Sequence, residues 1–192
     1  MGPEDSFLIA RARQGDLPAF EEVVRRYQRR VYGVALRIVR AHDVADDVAQ
    51  EAFVRAWRSL DRFDLARPFG PWVCRIAANL AVNHVRSPRA REEGLPEGRA
   101  ETTAPDPGPL ATVLDAEARR VLDTAVAELP TEQRAVFVLR TFEEMSYAEI
   151  AEALSLSPGT VMSRLFRARE RLARALGPYL GRAADRRKAG AT

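Results

Sequence analysis

Reactive and metal-binding groups are scarce in this sequence. Cys74 is the single cysteine, so no internal disulfide can form. His42 and His84 are the only histidines and stand far apart, which argues against a structural zinc site. Cys74 lies within Trp72-Val73-Cys74-Arg75-Ile76, an apolar setting that suits a small packed side chain rather than a nucleophile. There is no glycine-rich phosphate loop. Acids such as Asp46, Asp47 and Glu51 fall on helix faces that do not converge on a metal, so neither an enzyme (a nuclease, for example) nor a cofactor is expected. The start of the chain lacks a basic region followed by an apolar run. No apolar stretch approaches the roughly 20 residues that span a bilayer. These absences predict a cytoplasmic protein without membrane insertion.

Aromatic residues make up only 7% of the 192 residues while hydrophobic residues make up 46%. That balance, rich in Ala and Leu, favours small helical bundles over a sheet sandwich. The formal net charge is only +3, so the distribution of charge is more informative than its sum. Beyond residue 158, nine basic side chains face only Glu170 and Asp185. Such a cationic end is the electrostatic footprint of a polyanion binder; a solvated surface helix with a loose basic tail is the plainer alternative.

Proline and glycine are concentrated at 87–110, where Pro88, Gly94, Pro96, Gly98, Pro105, Pro107, Gly108 and Pro109 leave little that can form a helix or a core. The segment reads as a flexible linker between an N-terminal domain, 1–86, and a C-terminal domain, 111–180, with a disordered basic tail at 181–192. Asp16 and Pro18 open a helix whose apolar stripe runs through Phe20, Val23, Tyr27, Val31, Val34 and Ile38. Asp43 is the expected cap of the next helix, and Pro68 opens a third through Trp72, Ile76 and Leu80; 61–67 is a loop. In the second half a helix over 111–128 ends at Pro130, and Thr131 is the expected cap of its successor.

Two sharply capped helices follow. Ser146-Tyr147-Ala148-Glu149 is a capping box. Ser157 caps the second helix, with Pro158 at its first position, and Gly177-Pro178 is its expected stop. The short turn between them makes a helix-turn-helix. Ala151 permits a close crossing, Val161 and Leu165 face inward, and Thr160, Met162, Ser163, Arg164, Phe166 and Arg167 face outward, as in motifs whose second helix enters the major groove. An ordinary helical hairpin has the same spacing; the basic second helix favours DNA. Ser155 occupies the turn position that often adopts a left-handed conformation, where a non-glycine residue costs on the order of 1 kcal/mol.

These residues resemble a known family. Leu129-Pro130-Thr131-Glu132-Gln133-Arg134, Ser146 to Ala151 and Gly159 to Arg169 are similar to domain 4 of extracytoplasmic-function sigma factors of bacterial RNA polymerase. Gly15-Asp16, Asp47-Val48-Ala49-Gln50-Glu51-Ala52-Phe53, Trp57, Arg62-Phe63-Asp64, Pro68-Phe69 and 72–79 are similar to domain 2. The resemblance implies an all-α fold of two small helical domains on a flexible linker. It implies a transcription-initiation factor that binds core RNA polymerase and promoter DNA and is held by an anti-sigma factor. It assigns Asp47, Gln50, Glu51, Phe53 and Trp57 to the polymerase; Phe63, Asp64, Arg75, Asn79 and Asn83 to the minus-10 element; and Thr160, Met162, Ser163, Arg164, Phe166 and Arg167 to the minus-35 element. The residues themselves leave alternatives open. Asp43, Asp47 and Glu51 make an acidic stripe at four-residue spacing that fits a basic partner or plain solvent. Phe53 and Trp57 suit a core equally well, and Asn79 and Asn83 suit either base edges or water. Met162, where the family commonly has a basic residue, fits a thymine methyl. A polymerase-independent repressor would use the same helix-turn-helix, as a dimer on a palindrome.

Overall fold

A computed structural model describes residues 3–87 and 116–189, and every regular element among them is a helix. The N-terminal half contains α1 (Pro3–Arg13), α2 (Leu17–Val39), α3 (His42–Arg58) and α4 (Phe69–Arg86), with a 3-10 turn at Leu60–Arg62. The C-terminal half contains α5 (Ala116–Ala127), α6 (Thr131–Thr141), α7 (Tyr147–Ala153) and α8 (Pro158–Ala189). The linker assigned to 87–110 lies almost wholly outside the described residues.

Helix α2 is the axis of the first half. Asp16 accepts a hydrogen bond from the Ala19 amide at 3.1 Å, and Arg40 closes the far end in a left-handed conformation. Between them Val23, Val31, Val34, Leu36 and Ile38 are fully buried against α3 and α4. The expected stripe is the core. At the loop before α4, Phe63, Phe69 and Trp72 form an aromatic cluster with ring centroids 4.7–5.6 Å apart. Gly70 lets α4 approach α2 closely, because a Cβ there would lie 2.7 Å from the Arg30 guanidinium and 2.9 Å from the Tyr27 ring.

Three helix boundaries differ from expectation. Helix α3 begins at His42 with Ala41 as its cap, so Asp43 lies inside the first turn and favours the helix through its dipole instead. Helix α6 begins at Thr131 with Pro130 in the cap position, and the Thr131 side chain does not cap it. Helix α8 does not stop at Gly177-Pro178 but runs to Ala189, which makes 181–189 helical rather than disordered. Proline inside a helix removes one amide and crowds the previous turn. Gly177 and Pro178 are exposed, so water can satisfy the carbonyl that loses its partner.

The two halves pack against each other. Helix α6 lies across α2 and α4, and α7 meets α4. At the centre is Arg134, only 5% exposed, which donates to the carbonyls of Ile38 at 2.6 Å, Ala127 at 2.8 Å and Leu129 at 3.0 Å. Arg37 stacks on the Phe142 ring at 4.2 Å, and Arg30 pairs with Glu143 at 2.7 Å. No described helix is long and apolar enough to cross a membrane.

Replacing Arg134 by methionine keeps the bulk but removes charged donors from three carbonyls. Arg134→Met is expected to lower the unfolding free energy by about 2–3 kcal/mol. A urea midpoint equal to that of the unchanged chain would show the guanidinium to be dispensable.

Candidate functional site

The helix-turn-helix is built from local signals. The Ser146 hydroxyl accepts from the Glu149 amide at 3.2 Å, and the Glu149 carboxylate accepts from the Ser146 amide at 2.7 Å. These Ser146 hydrogen bonds, from the side chain first and then the backbone, hold the Glu149 carboxyl below the ordinary range. Ala151 is 6% exposed at the crossing, and its carbonyl accepts from the Leu156 amide at 2.9 Å. The turn does use the left-handed conformation at Ser155, with φ +52°. Ser157 then caps α8 by accepting from the Thr160 amide at 3.2 Å.

Helix α8 buries Val161, Leu165, Ala168 and Leu172 and turns the opposite face outward. Met162 is 56% exposed and Phe166 64%. Ser163 and Arg167 are also exposed. Thr160 is half-buried and shares a hydrogen bond with Ser157 through their hydroxyls. Arg164 is ion-paired with Glu132 of α6. The Ser163 hydroxyl donates to the Thr160 carbonyl at 3.0 Å, so the outward set divides into three open side chains, Met162, Phe166 and Arg167, and three that are engaged.

On α3, Asp43, Asp47 and Gln50 face solvent, and Glu51 pairs with Arg55 at 2.7 Å. Beside them a groove of about 580 Å³ opens between α2 and α3, lined by Val24, Tyr32, Gln50 and Phe53 among others. Phe53 is 7% exposed and meets this groove with one edge, while Trp57 packs on Phe20 at 4.9 Å. Trp57 is thus half in the core, and the acidic residues form the open face.

The remaining group is split. Phe63 is only 3% exposed, its ring committed to the aromatic cluster, so it offers no face for stacking in this arrangement. A lone aromatic in a non-periodic loop gives no sequence cue to its orientation, which is why the expectation of a stacking ring was available at all. Asp64 folds back on the loop, accepting from the Ala66 amide at 2.9 Å. Asn83 is exposed and Asn79 half-buried on the same side of α4, and Arg75 pairs with Glu152 of α7. Sequence reasoning missed the partners that engage these arginines, Glu132, Glu143 and Glu152, and the buried Arg134. One signal was present for Arg134: it falls in phase with the buried positions of α6, where an apolar residue is expected. Among the described residues no group of His, Cys, Asp and Glu side chains is placed to hold a metal.

Comparison with known proteins gives matches to both halves. Residues 23–92 match the family described as Sigma-70 region 2, and residues 119–172 match Sigma-70, region 4. The chain is 36% identical over 185 residues to the RNA polymerase sigma-H factor of Pseudomonas aeruginosa, covering 92% of this chain and 96% of that one. It is 36% identical over 188 residues to the ECF RNA polymerase sigma-E factor of Escherichia coli K12, covering 93% and 97%. Among solved structures it is similar to CnrH in complex with the cytosolic domain of CnrY, with TM-score 0.61, 31% identity and coverage of 91% and 98%. It is also similar to the sigma factor RpoE in complex with the anti-sigma factor NepR from Bartonella quintana, with TM-score 0.62, 26% identity and coverage of 82% and 96%.

The reader's turn and cap make opposite predictions for stability. Ser155→Gly relieves the left-handed strain and should stabilise the fold by about 1 kcal/mol. Ser146→Ala removes the cap and should destabilise it by about 1 kcal/mol. Because the Glu149 carboxyl is lowered in the folded state, its contribution is complete above its ordinary value of 4.5 and fades as the pH falls through the lowered one. The stability gap between the unchanged chain and Glu149→Gln should therefore narrow on acidification. Thermal denaturation of the three variants across acid pH tests all of this, and a gap independent of pH would contradict the cap's ionic character.

Proposed function

The chain belongs to the sigma-70 family as an extracytoplasmic-function sigma factor, and on that premise we propose how its surfaces divide the work of an alternative sigma factor. It binds core RNA polymerase and directs it to promoters, and its regulator is an anti-sigma factor of the kind its structural relatives carry. The observation that carries the proposal is the register of α8: one face is locked inward by Val161 and Leu165, leaving Met162, Ser163, Phe166 and Arg167 outward on a cationic helix.

In this reading α8 enters the major groove of the minus-35 element. Arg167 supplies a charged donor to phosphate or a base edge, Ser163 a small hydroxyl, and Met162 and Phe166 apolar contact with thymine methyl groups. Thr160 stiffens the helix start, and Arg164 joins the DNA contact only on leaving Glu132. The acidic face of α3, with Asp47, Gln50 and Glu51 above the Phe53-lined groove, docks on a basic helical surface of the polymerase. Trp57 supports that face from beneath.

Strand opening at the minus-10 element forms and breaks no covalent bond. It requires a surface that compensates an unstacked base with edge hydrogen bonds and a charged neighbour. Asn79, Asn83 and Arg75 of α4 provide these, Asp64 shapes the adjoining loop, and Phe63 holds that loop from inside. Such a factor is not itself an enzyme, and it works in the cytoplasm, where the polymerase and the chromosome are.

In vitro transcription tests the assignment. Core polymerase with this protein, on a pool of genomic promoter fragments, should start at a discrete set of sites that core polymerase alone ignores. Failure to bind core and to alter start sites would overturn it. Arg167→Ala should weaken binding to a minus-35 duplex by about 1–3 kcal/mol at fixed salt, and unchanged affinity would remove Arg167 from the groove.

A further inference from the structure

Helix α8 is longer than packing and base reading require. Its buried positions, Val161, Leu165, Ala168 and Leu172, are followed by Leu176, which is half-buried against the core. The outward side chains of the reader lie between 160 and 167. The helix nevertheless runs on through the exposed Gly177 and Pro178 to Ala189. From 181 to 189 the sequence is Gly-Arg-Ala-Ala-Asp-Arg-Arg-Lys-Ala, with four basic residues, one acid and no large apolar residue. Hydrophobic burial therefore gives this extension nothing to dock on.

The basic residues are in phase with the reader. Spacings of four, three, four, four and four residues place Arg167, Arg171, Arg174, Pro178, Arg182 and Arg186 at successive positions along one face of the helix. The line begins at an outward residue of the reader and covers about 29 Å at 1.5 Å per residue. Arg167, Arg171 and Arg174 are exposed, and Arg174 Nε donates to the Glu170 carbonyl at 3.4 Å, a backbone partner that leaves the charge uncompensated. Asp185 stands beside the far end of the line, where Arg186, Arg187 and Lys188 outnumber it. The major groove is about 12 Å wide and curves around the duplex, whereas a helix does not curve with it. A helix of 32 residues, about 48 Å long, stays in the groove for a few turns and then crosses a strand. Phosphates are what it meets there.

We propose that the α8 extension is a second DNA-binding surface, in which the basic line beyond Arg167 grips the phosphate backbone flanking the minus-35 element without reading its bases. This rests on the placement of the reader in the groove proposed above. The two parts of one helix then divide the work: residues 162–167 choose the element, and the extension adds affinity that is the same for every flanking sequence. Each neutralised phosphate adds about 0.9 to the steepness with which binding falls with salt. Four charges at 182–188, each meeting one phosphate, add about 3–4, so doubling the salt costs about tenfold through the extension alone.

The test uses the full chain bound to core polymerase, on a promoter duplex from which the wild-type holoenzyme starts. One variant combines Arg182→Gln, Arg186→Gln, Arg187→Gln and Lys188→Gln; a second combines Arg182→Lys, Arg186→Lys and Arg187→Lys, which keeps the charge. Glutamine and lysine are both good helix formers. The glutamine variant should bind the duplex about tenfold more weakly, with a plot of log affinity against log salt shallower by about 3, and should lose backbone protection beside the minus-35 element. The lysine variant should keep the wild-type slope, and scrambling the flanking bases should change neither. A chain ended after Gly181 should match the glutamine variant, which separates loss of charge from a defect of the substituted helix. Wild-type affinity and slope in both the glutamine variant and the shortened chain would overturn the proposal. So would weaker binding to core polymerase with an unchanged promoter slope, because the basic end would then meet an acidic protein surface. A wild-type chain that selects no start sites would instead refute the sigma reading, so the two failures are distinct.

Discussion

The architecture depends on where one buried guanidinium finds its hydrogen bonds. Arg134 belongs to the C-terminal half, yet it donates to Ile38 in the last turn of α2 as well as to Ala127 and Leu129 at the end of α5. Its partners are carbonyls and the Thr131 hydroxyl rather than a carboxylate. Helix C-termini carry unsatisfied carbonyls and the negative end of the macrodipole, so two of them facing one cation provide both hydrogen bonds and countercharge. The compensation is incomplete: burial, and then the nearby Arg40, pull the Arg134 pKa down to about 10, and its Nε has no hydrogen-bond partner. The residue stays charged at neutral pH. Its three carbonyl partners lie at the ends of helices that must come together for α6 to sit on α2, so this contact fixes the relation of the two halves as well as the close of α5.

The same reasoning explains why arginine recurs at these positions. Lys188 is the single lysine among thirty basic residues. A guanidinium is planar, carries five donors and is weakly hydrated, so it can face carbonyls, a carboxylate or a ring while partly buried. Arg134 uses carbonyls, Arg30 a carboxylate, and Arg37 the face of Phe142. Lysine offers a point charge that would not match these forks. Gly70 belongs to the same construction, since the room left by its missing Cβ is taken by Arg30.

What could be read from the sequence was whatever is local or periodic. The α2 stripe, the Ser146–Glu149 box, the Ser157 cap and the inward register of Val161 and Leu165 all follow from spacings of three or four residues, and the structure places each accordingly. The left-handed Ser155 was legible from its place in the turn. Caps without a side-chain bond were not legible: Asp43 and Thr131 are good cap residues, but the chain reaches helical geometry one residue earlier, at His42 and at Thr131 itself. The continuation of α8 through Pro178 was illegible because exposure, not propensity, decides whether a freed carbonyl is satisfied. Phe63 and the partners of Arg30 and Arg75 depend on contacts 77 or more residues apart, or on the orientation of a loop, and no periodicity reports those.

A basic tally therefore overstates the cationic surface available to DNA. Of the nine basic side chains beyond residue 158, Arg164 is committed to Glu132, while Arg167, Arg169 and Arg171 are exposed along α8. Glu132 shows how the two roles are linked. It pairs with Arg86 of α4 and with Arg164 of α8 at once, so one carboxylate joins a helix of the first half to the long helix of the second. Each exposed pair is individually weak, but the two share one carboxylate. Removing either arginine leaves the whole carboxylate to the other, so the two pairs are coupled through Glu132 and are not independent contributions.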